Sequence, residues 1–339
     1  MKCVTFENNF FEMTKHKVGI VCGGYSSEYK ISMKSGQTVF DALSPEDWDC
    51  YYILIRPEAW TAKDHAGNTY TLSRGDFALQ GENGTVRLDV IFNAIHGAPG
   101  ENGQLAALWE LLNIPFSSCD SYAAALTFNK RDCLTLLREK NIPTAQHYEL
   151  NQNDPIHLHQ IIETVGLPCF VKANRSGSSF GVYKVDHKED LLEAIEKAFE
   201  EDSQLIIESA LDGVEINVGV GPWNNSLQVF PMTEIQTQNA FFDYKAKYEG
   251  EAEEITPARI SEEATAQIAS LAKKIYTTLG LRGIVRSEFI LVDKTPYFLE
   301  VNTIPGLTAQ SIVPQQLAVA GISLADFFDA LLKNTLKKN

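Results

Sequence analysis

The sequence predicts an α/β protein whose N-terminal part is an open, doubly wound, mainly parallel sheet, followed by a second sheet with its own helices. Up to about residue 120, buried strand patterns that end in glycine loops alternate with helical patterns. A strand, a glycine-serine loop and another strand follow at 167–185, and an acidic hairpin pattern lies at 284–302. The change of pattern near residue 120 indicates a domain boundary.

The N-terminal part contains three predicted strands and two predicted helices. Residues 17–24, KVGIVCGG, form an apolar run that ends in glycines, and SSEYKISMKSGQTVFDAL has helical spacing. Residues 88–97 predict a second strand, GQLAALWELLNI the helix after it, and residues 114–118 a further short strand. In such sheets, ligands bind at the carboxyl ends of the strands. The loops GGYSSE and HGAPGENG are therefore expected to face a ligand.

The middle of the chain predicts a second sheet. Residues 121–141 predict a helical pair or one broken helix, and 188–201 an amphipathic helix that precedes the strand QLIIESAL. Residues 237–258 are polar and aromatic, and their hydrophobic residues follow neither the helical nor the strand period. A connection of that length is commonly a lid or a binding loop. A long helix from Glu262 to about Leu279 and a closing helix, SLADFFDALLKNTL, flank the acidic hairpin.

The acidic hairpin is a candidate metal site. A three-residue loop would place Glu288 opposite Glu300, and Asn302 would share their face because side chains at i and i+2 point the same way. Like charges directly opposite destabilise a sheet unless a cation lies between them. Two carboxylates and one amide oxygen suit Mg²⁺. A solvated hairpin face with unrelated acids is the alternative.

The amino-acid composition limits the classes of function that we expect for this protein. The chain has 339 residues, of which 44% are hydrophobic, a formal net charge of −15 and a pI near 4.9. This acidity disfavours non-specific binding to nucleic acid or to an anionic membrane. The sequence has no run of 18 uncharged apolar residues and no signal-peptide core, so we expect a cytoplasmic protein. Six scattered cysteines without a CxxC pair predict reduced thiols.

Three polar segments are candidate ligand sites. In ANRSGSSFG (173–181) backbone amides can form an anion-binding nest beside Lys172, although an ordinary hairpin loop is the alternative and no Walker A pattern is present. Glu28 lies at the start of a helix whose exposed N–H groups favour a bound anion. Alternatively, the carboxylate of Glu28 simply complements the helix dipole. His96 is either a proton-transfer group or a loop hydrogen-bonder. DYKAKY (243–248) is either a solvated loop or a lid over phosphate.

Together and in this order, these elements resemble one family. From about Lys15 onward the sequence resembles the D-alanine:D-alanine ligases of the ATP-grasp superfamily. Eight segments carry the resemblance: GGYSSEYKISMKSG, HGAPGENG, FNK, VKANRSGSSFGVYKV, IIESALDGVE, FFDYKAKY, RGIVRSEF and LEVNTIPGLTAQSIVP. Eight matches in sequence order are far more specific than any one of them. The resemblance implies an ATP-grasp fold preceded by the N-terminal parallel-sheet domain.

The resemblance implies an ATP site between the two ATP-grasp sheets. The residues that would contact the nucleotide are Lys130, Lys172 and Lys247 at the phosphates, Glu208 at the adenine amino group, Leu211 along the base and Glu215 at the ribose. Two Mg²⁺ ions, or Mn²⁺ in their place, would bridge the phosphates and be held by Glu288, Glu300 and Asn302. This implied metal site agrees with the acidic hairpin.

The resemblance also implies a reaction in two steps. The carboxylate of a first D-alanine would attack the γ-phosphorus of ATP, and the amine of a second D-alanine would attack the resulting acyl phosphate. Arg286 and the backbone N–H of Gly306 would stabilise the oxyanion. Glu28 would bind the ammonium group of the first D-alanine with His96 nearby, and Ser311 would bind the carboxylate of the second.

Closure and specificity are implied by the same resemblance. Glu28, Ser178 and Tyr248 would form a hydrogen-bonded group that closes the site against water. Ligases that make D-alanyl-D-lactate commonly have a histidine at the lid tyrosine, so Tyr248 favours an amine nucleophile.

Four positions depart from the commonest family pattern. Glu288 stands where aspartate is usual, Ala173 where proline is frequent, Ser176 where glutamate is frequent and Asn102 where aspartate is usual. The extra methylene of Glu288 affects the position of one metal ion. None of the four removes a group that the mechanism requires.

The expected function is ATP-dependent synthesis of D-alanyl-D-alanine for peptidoglycan precursors, by a homodimer. A ligase that uses D-serine or D-lactate as second substrate is one alternative. A non-catalytic nucleotide-binding or regulatory protein on the same fold is another, and the intact Lys172, Arg286, Glu300 and Asn302 argue against it. The expected domains are a substrate-binding domain at 13–120, a central ATP-grasp subdomain at 121–210, and a C-terminal subdomain with lid and metal site at 211–339.

Overall fold

Three β-sheets organise the protein. A computed structural model describes residues 15–177, 180–237 and 252–337. Among these residues the sheets have seven, four and six strands, and the predicted α/β class with an N-terminal parallel sheet is confirmed. The described helices are α1 (Tyr29–Ala42), α2 (Gln104–Leu111), α3 (Ser121–Phe128), α4 (Lys130–Glu139), α5 (Leu158–Val165), α6 (Leu191–Ala198), α7 (Glu262–Thr278), α8 (Ile312–Val319) and α9 (Leu324–Lys337).

The first sheet combines a parallel centre with an antiparallel extension, in the order β6-β5-β4-β3-β2-β1-β7. Its strands are β1 (His16–Gly23), β2 (Trp48–Ile55), β3 (Trp60–Asp64), β4 (Thr69–Leu72), β5 (Leu79–Gly81), β6 (Gly84–Val86) and β7 (Val90–Asn93). β1 lies parallel to β2 and to β7, whereas β2 to β6 form an antiparallel meander. Sequence patterning missed this meander because most of its strands are three to five residues long and largely polar. The short strand predicted at 114–118 is a single parallel bridge between Ile91 and Phe116.

The second and third sheets are largely antiparallel. The second has the order β10-β9-β11-β8, with β8 (His147–Asn151), β9 (Cys169–Ala173), β10 (Val182–Val185) and β11 (Gln204–Ser209). The third has the order β15-β14-β12-β16-β17, with β12 (Val214–Trp223), β14 (Thr233–Thr237), β15 (Ala252–Ile255), β16 (Val285–Val292) and β17 (Thr295–Asn302), while β13 (Ser226–Val229) pairs with β12. The predicted strand pair around the glycine-serine loop is confirmed as β9 and β10.

The predicted helical pair at 121–141 is confirmed as two helices that meet at Asn129. The Asn129 backbone is extended, and its side chain accepts a hydrogen bond from the N–H of Asp132, which caps the start of α4. Lys130 is the first residue of α4, so the break sets the direction of this lysine. None of the helices within the described ranges is long and apolar enough to span a membrane.

The last helix packs against the first sheet. The buried cluster on this side contains Val18 and Phe92 from the sheet, Val39 from α1, and Phe327 and Phe328 from α9. The rings of Phe92 and Phe328 meet edge to face at 5.3 Å between centroids. The indole Nε1 of Trp48 donates to Oδ1 of Asp329 over 3.0 Å. The N-terminal core is thus completed by residues more than 230 positions later in the chain.

We expect Phe328→Ala to lower the free energy of unfolding by about 3 to 5 kcal/mol, because it removes a fully buried ring from a packed core. Urea unfolding followed by circular dichroism measures the change. Lys333→Ala on the exposed side of the same helix is the control and should change it by less than about 0.5 kcal/mol. Similar values for the two variants would contradict this packing.

Candidate active site

A cavity of about 420 Å³ lies where the three sheets approach one another. Its walls come from distant parts of the chain: the segment before α1, the loop after β7, the start of α4, the loop after β9, and the ends of β16 and β17. Eight predicted site residues line it, namely Glu28, His96, Lys130, Arg286, Glu300, Asn302, Gly306 and Ser311. The fold therefore brings together residues that are separated by up to about 280 positions.

The other predicted residues fall into two groups. Lys172, Glu208, Leu211, Glu215 and Glu288 lie on or next to strands of the second and third sheets and do not line this cavity. Ser178, Lys247 and Tyr248 lie outside the described residues, so their predicted roles stay predictions.

In the acidic hairpin Glu288 pairs with Glu300, as predicted, but the loop length and the strand register differ from the prediction. Val292 pairs with Thr295, so the loop has two residues and the predicted three-residue loop was wrong. A β-bulge then shifts the register: Phe289 pairs with Phe298, but Glu288 pairs with Glu300, which leaves Leu299 as the extra residue. Without the bulge, Glu300 would point to the opposite face of the sheet. The bulge therefore sets the two carboxylates side by side.

Cationic side chains flank the paired carboxylates. Nη2 of Arg286 donates to Oε1 of Glu288, and both side chains are largely buried. Nζ of Lys130 lies 3.5 Å from Oε2 of Glu300 and donates to the carbonyl oxygen of Ser176 over 2.7 Å. The like charges of the two glutamates are thus opposed by two cations.

The donor set of the hairpin fits a hard divalent cation. In the stretches that the structure describes, no three histidine, cysteine, aspartate or glutamate side chains cluster as a metal-binding group. The hairpin instead supplies two carboxylates and the amide of Asn302, whose Oδ1 accepts a hydrogen bond from the N–H of Ile304 over 3.0 Å. Oxygen-only ligands of this kind suit Mg²⁺, which completes its shell with water or phosphate oxygens.

His96 is a buried hydrogen-bonding group. Its Nδ1 lies 2.7 Å from the carbonyl oxygen of Ile304, which can only accept, so Nδ1 carries the proton. Nε2 then accepts from Oγ of Ser35 at 3.0 Å, and this Oγ accepts from the N–H of Leu307 at 3.2 Å. Burial lowers the pKa of His96, which favours the neutral ring. The ring thus ties α1 to the segment after β17.

Glycines enclose the carboxylate of Glu28. A Cβ at Gly177 would lie 2.8 Å from Oε2 of Glu28, and one at Gly97 would lie 3.2 Å from the same oxygen. Gly97 also has a φ of +68°, which other residues rarely adopt. The loop after β9 and the loop after β7 therefore approach Glu28 by their backbones, which leaves the carboxylate inside the cavity.

Lys172 and Glu208 form a buried ion pair. Lys172 pairs with Ile206 across β9 and β11, so Glu208, two residues further along, lies on the same face. Nζ of Lys172 lies 2.7 Å from Oε2 of Glu208, and both side chains are largely buried. On the neighbouring sheet, the carboxylate of Glu215 accepts from Nδ2 of Asn217 over 3.1 Å.

Glu101 lines the cavity and was not among the predicted site residues, although it lies in the quoted segment HGAPGENG. Its Oε2 accepts from the N–H of Gly97 over 3.0 Å. Burial, with a smaller contribution from the nearby Glu28, raises the pKa of Glu101 to about 7. Because this glutamate stands between a glycine and an asparagine, no periodic hydrophobic pattern in the sequence predicts that it is buried.

We expect Glu101→Gln to stabilise the protein above pH 7, by about 3 kcal/mol at most. Because the folded-state pKa lies above the unfolded value, the wild type loses stability as the pH rises from about 4.5 to about 7, whereas the glutamine variant does not. Thermal unfolding of both proteins between pH 5 and pH 9 measures the difference. A difference that is constant over this range would contradict the raised pKa.

Two family sequence models match the chain. The model described as D-ala D-ala ligase N-terminus matches residues 17–119, and that described as D-ala D-ala ligase C-terminus matches residues 136–333. The D-alanine–D-alanine ligase of Flavobacterium johnsoniae is 49% identical over 319 residues, which cover 94% of this chain and 99% of the relative. That of Christiangramia forsetii is 45% identical over 324 residues, which cover 96% and 99%.

Solved structures share the fold over nearly the whole chain. D-alanyl-alanine synthetase A from Vibrio cholerae has a TM-score of 0.85 at 29% identity, covering 96% of this chain and 99% of its own. The VanG D-Ala:D-Ser ligase from Enterococcus faecalis has a TM-score of 0.84 at 29% identity, covering 95% and 100%. The Bacillus anthracis D-alanine–D-alanine ligase complexed with ATP has a TM-score of 0.78 at 25% identity, covering 96% and 98%.

Proposed function

Because the chain belongs to the D-alanine–D-alanine ligase family, we propose that its cavity joins two D-alanine molecules through an acyl-phosphate intermediate formed with ATP. The chain is an ATP-dependent carboxylate-amine ligase of the ADP-forming type, and its product supplies peptidoglycan precursors. The observation that carries the mechanism is the single cavity that gathers Glu28, Arg286, Glu300 and Ser311. Each of these side chains suits one part of the reaction.

The first D-alanine would bind by its two charged ends. Its ammonium group suits the carboxylate of Glu28, which the backbones of Gly97 and Gly177 enclose. Its carboxylate would then point toward Arg286 and the metal ligands. His96 supports this end of the cavity, since its ring joins α1 to the segment after β17. This placement orients one carboxylate oxygen toward the γ-phosphate.

ATP would lie between the second and third sheets. Lys130 and Lys172 suit its phosphates, and Glu208, Leu211 and Glu215 its adenine and ribose. The pair between Lys172 and Glu208 supports this arrangement, because it holds both side chains on one face of the second sheet. Lys247 stays a predicted phosphate contact outside the described residues.

Divalent cations would bind at the acidic hairpin. Glu288, Glu300 and Asn302 would hold two Mg²⁺ ions, for which Mn²⁺ can substitute. When bound, these ions neutralise phosphate charge as it shifts during phosphoryl transfer. The side chains of Arg286 and Lys130 each pair with one of the two carboxylates and so offset part of their negative charge.

The second D-alanine would complete the reaction. Ser311 suits its carboxylate, and its amine attacks the acyl carbon. Arg286 and the backbone N–H of Gly306 would stabilise the developing oxyanion. Gly306 lies close to Ser311, since a Cβ there would come within 2.8 Å of the serine Oγ. The oxyanion site and the second-substrate site are therefore adjacent.

We also propose a localisation, an oligomeric state and a domain division for the enzyme. ATP and an acidic surface suit a cytoplasmic enzyme, and the family resemblance suggests a homodimer. The proposed domains at 13–120, 121–210 and 211–339 are supported by the sheets, because each sheet lies within one of the three ranges.

Phosphate release from ATP and Mg²⁺ tests the function. The assay contains D-alanine, L-alanine, or D-alanine with D-lactate or D-serine, and mass spectrometry identifies the product. Turnover with D-alanine alone and a D-alanyl-D-alanine product is expected. Product formed only in a mixture would indicate a depsipeptide or mixed-dipeptide ligase, and absence of turnover throughout would contradict the proposal.

A further inference from the structure

Glu254 is a cavity residue for which the proposed mechanism has no role. It lies on β15, opposite Ile235 of β14, and lines the same cavity as Arg286 and Ser311. It did not appear among the predicted site residues. Within the described residues its strand lies at the edge of the third sheet, and its carboxylate contacts Gln315 of α8.

The carboxylate of Glu254 is held in place from α8. Its Oε2 accepts a hydrogen bond from Nε2 of Gln315 over 2.6 Å, and the same nitrogen donates to the carbonyl oxygen of Gln310 over 2.8 Å. Gln310 directly precedes Ser311, the proposed site for the carboxylate of the second D-alanine. Glu254 is therefore anchored next to the second-substrate site, and only one of its two carboxylate oxygens takes part in this hydrogen bond.

The chemistry of the second step needs a group of this kind. D-alanine enters as a zwitterion, and its ammonium nitrogen has no lone pair with which to attack the acyl carbon. Arg286, Lys130 and the metal ions cannot accept a proton from it. A half-buried carboxylate beside Ser311 can both attract the ammonium group and accept a proton.

We propose that Glu254 binds the ammonium group of the second D-alanine and accepts its proton before the attack on the acyl phosphate. This inference rests on the proposed function. The proton passes from the ammonium nitrogen to a Glu254 oxygen, and the freed lone pair forms the C–N bond. The bond between the acyl carbon and the phosphate oxygen then breaks, the departing phosphate takes the electron pair and the second N–H proton, and Glu254 releases its proton to water.

The surroundings of Glu254 suit a proton acceptor. Burial raises its pKa, while the Gln315 hydrogen bond and the charge of Arg286 lower it. The neighbouring elements β14 and α8 contribute the neutral Ile235 and Gln315. Besides Arg286, the titratable or charged side chains that line the rest of the cavity are Glu28, Lys30, Lys34, His96, Glu101, Lys130 and Glu300.

An assay with hydroxylamine measures formation of the acyl phosphate, the first step, independently of the attack by the second D-alanine. Hydroxylamine is largely neutral near pH 7 and traps an acyl phosphate as a hydroxamate without a base. For Glu254→Gln we expect kcat/KM for the second D-alanine to fall about 10² to 10⁴-fold at pH 7, while hydroxamate formation from D-alanine and ATP is unchanged. The remaining dipeptide synthesis should rise steadily with pH, because only solution deprotonation then supplies free amine.

Two further variants distinguish this role from a structural one. Glu253→Gln alters the exposed neighbouring carboxylate and should behave like the wild type. Gln315→Ala removes the hydrogen bond but keeps the carboxylate, so dipeptide synthesis at pH 7 should fall far less than in Glu254→Gln. Loss of hydroxamate formation in Glu254→Gln, or equal losses in Gln315→Ala, would overturn the proposal in favour of a structural tie.

The outcomes for the two proposals are separable. If the wild type forms neither hydroxamate nor dipeptide, the proposed function itself fails. If the wild type forms both and Glu254→Gln retains full dipeptide synthesis with an unchanged pH profile, only the assignment of Glu254 fails.

Discussion

Replacing Glu300 with alanine is expected to reduce turnover by at least about 10³-fold while leaving the fold intact. Glu300 lies directly opposite Glu288, so its removal takes away a proposed metal ligand and also relieves the repulsion between two like charges. Its side chain is about one third exposed, so no large cavity remains. Phosphate release measures the activity. Urea unfolding should give a free energy within about 1 kcal/mol of the wild-type value, because the lost contact with Lys130 and the relieved repulsion oppose each other.

Metal binding itself provides the control for this result. Mn²⁺ titration in the presence of a non-hydrolysable ATP analogue, followed by electron paramagnetic resonance, should show weaker binding for Glu300→Ala. Glu196→Ala removes an exposed glutamate on α6 and should leave both binding and turnover unchanged. Retained activity with a normal Mg²⁺ dependence would show that Glu300 is not a metal ligand.

Replacing Arg286 with methionine is expected to lower kcat by about 10² to 10³-fold, because the proposed donor to the oxyanion is lost. The same change leaves Glu288 buried without its cation, which should lower the free energy of unfolding by about 3 to 5 kcal/mol. Steady-state kinetics and urea unfolding measure the two effects separately. Both effects follow from the loss of one guanidinium group.

A second pair of variants separates catalysis from stability. Arg286→Met combined with Glu288→Gln removes both charges of the pair, so much of the stability should return while turnover stays low. Arg282→Met removes an exposed arginine of the same segment and should change neither quantity appreciably. An Arg286→Met variant with wild-type kcat would exclude the oxyanion role.

The acidic hairpin shows how far sequence reasoning reached and where it failed. The alternation of side chains and the turn residues predicted which carboxylates meet. The loop is one residue shorter than predicted, and the bulge at Leu299 compensates for it. No periodic pattern marks a bulge, because its position depends on how Phe289 and Phe298 pack together in the core.

The polar residues of the cavity were harder to predict than the strands. Glu101 lies close to Glu28, and Glu254 close to Arg286 and Gln315, all of which are more than 30 positions away in the sequence. The ion pair between Lys172 and Glu208 depends in the same way on the register of two antiparallel strands. Such contacts are tertiary, so local composition carries no sign of them.

The packing of α9 on the first sheet bears on how the protein is made in the cell. The residues of the first sheet leave the ribosome long before Phe327 and Phe328 are synthesised. The apolar face of this sheet therefore stays uncovered in the nascent chain until α9 has been made. A chaperone that shields this face during translation would protect the chain from aggregation. Truncated products of interrupted synthesis that lack α9 would keep that apolar face exposed.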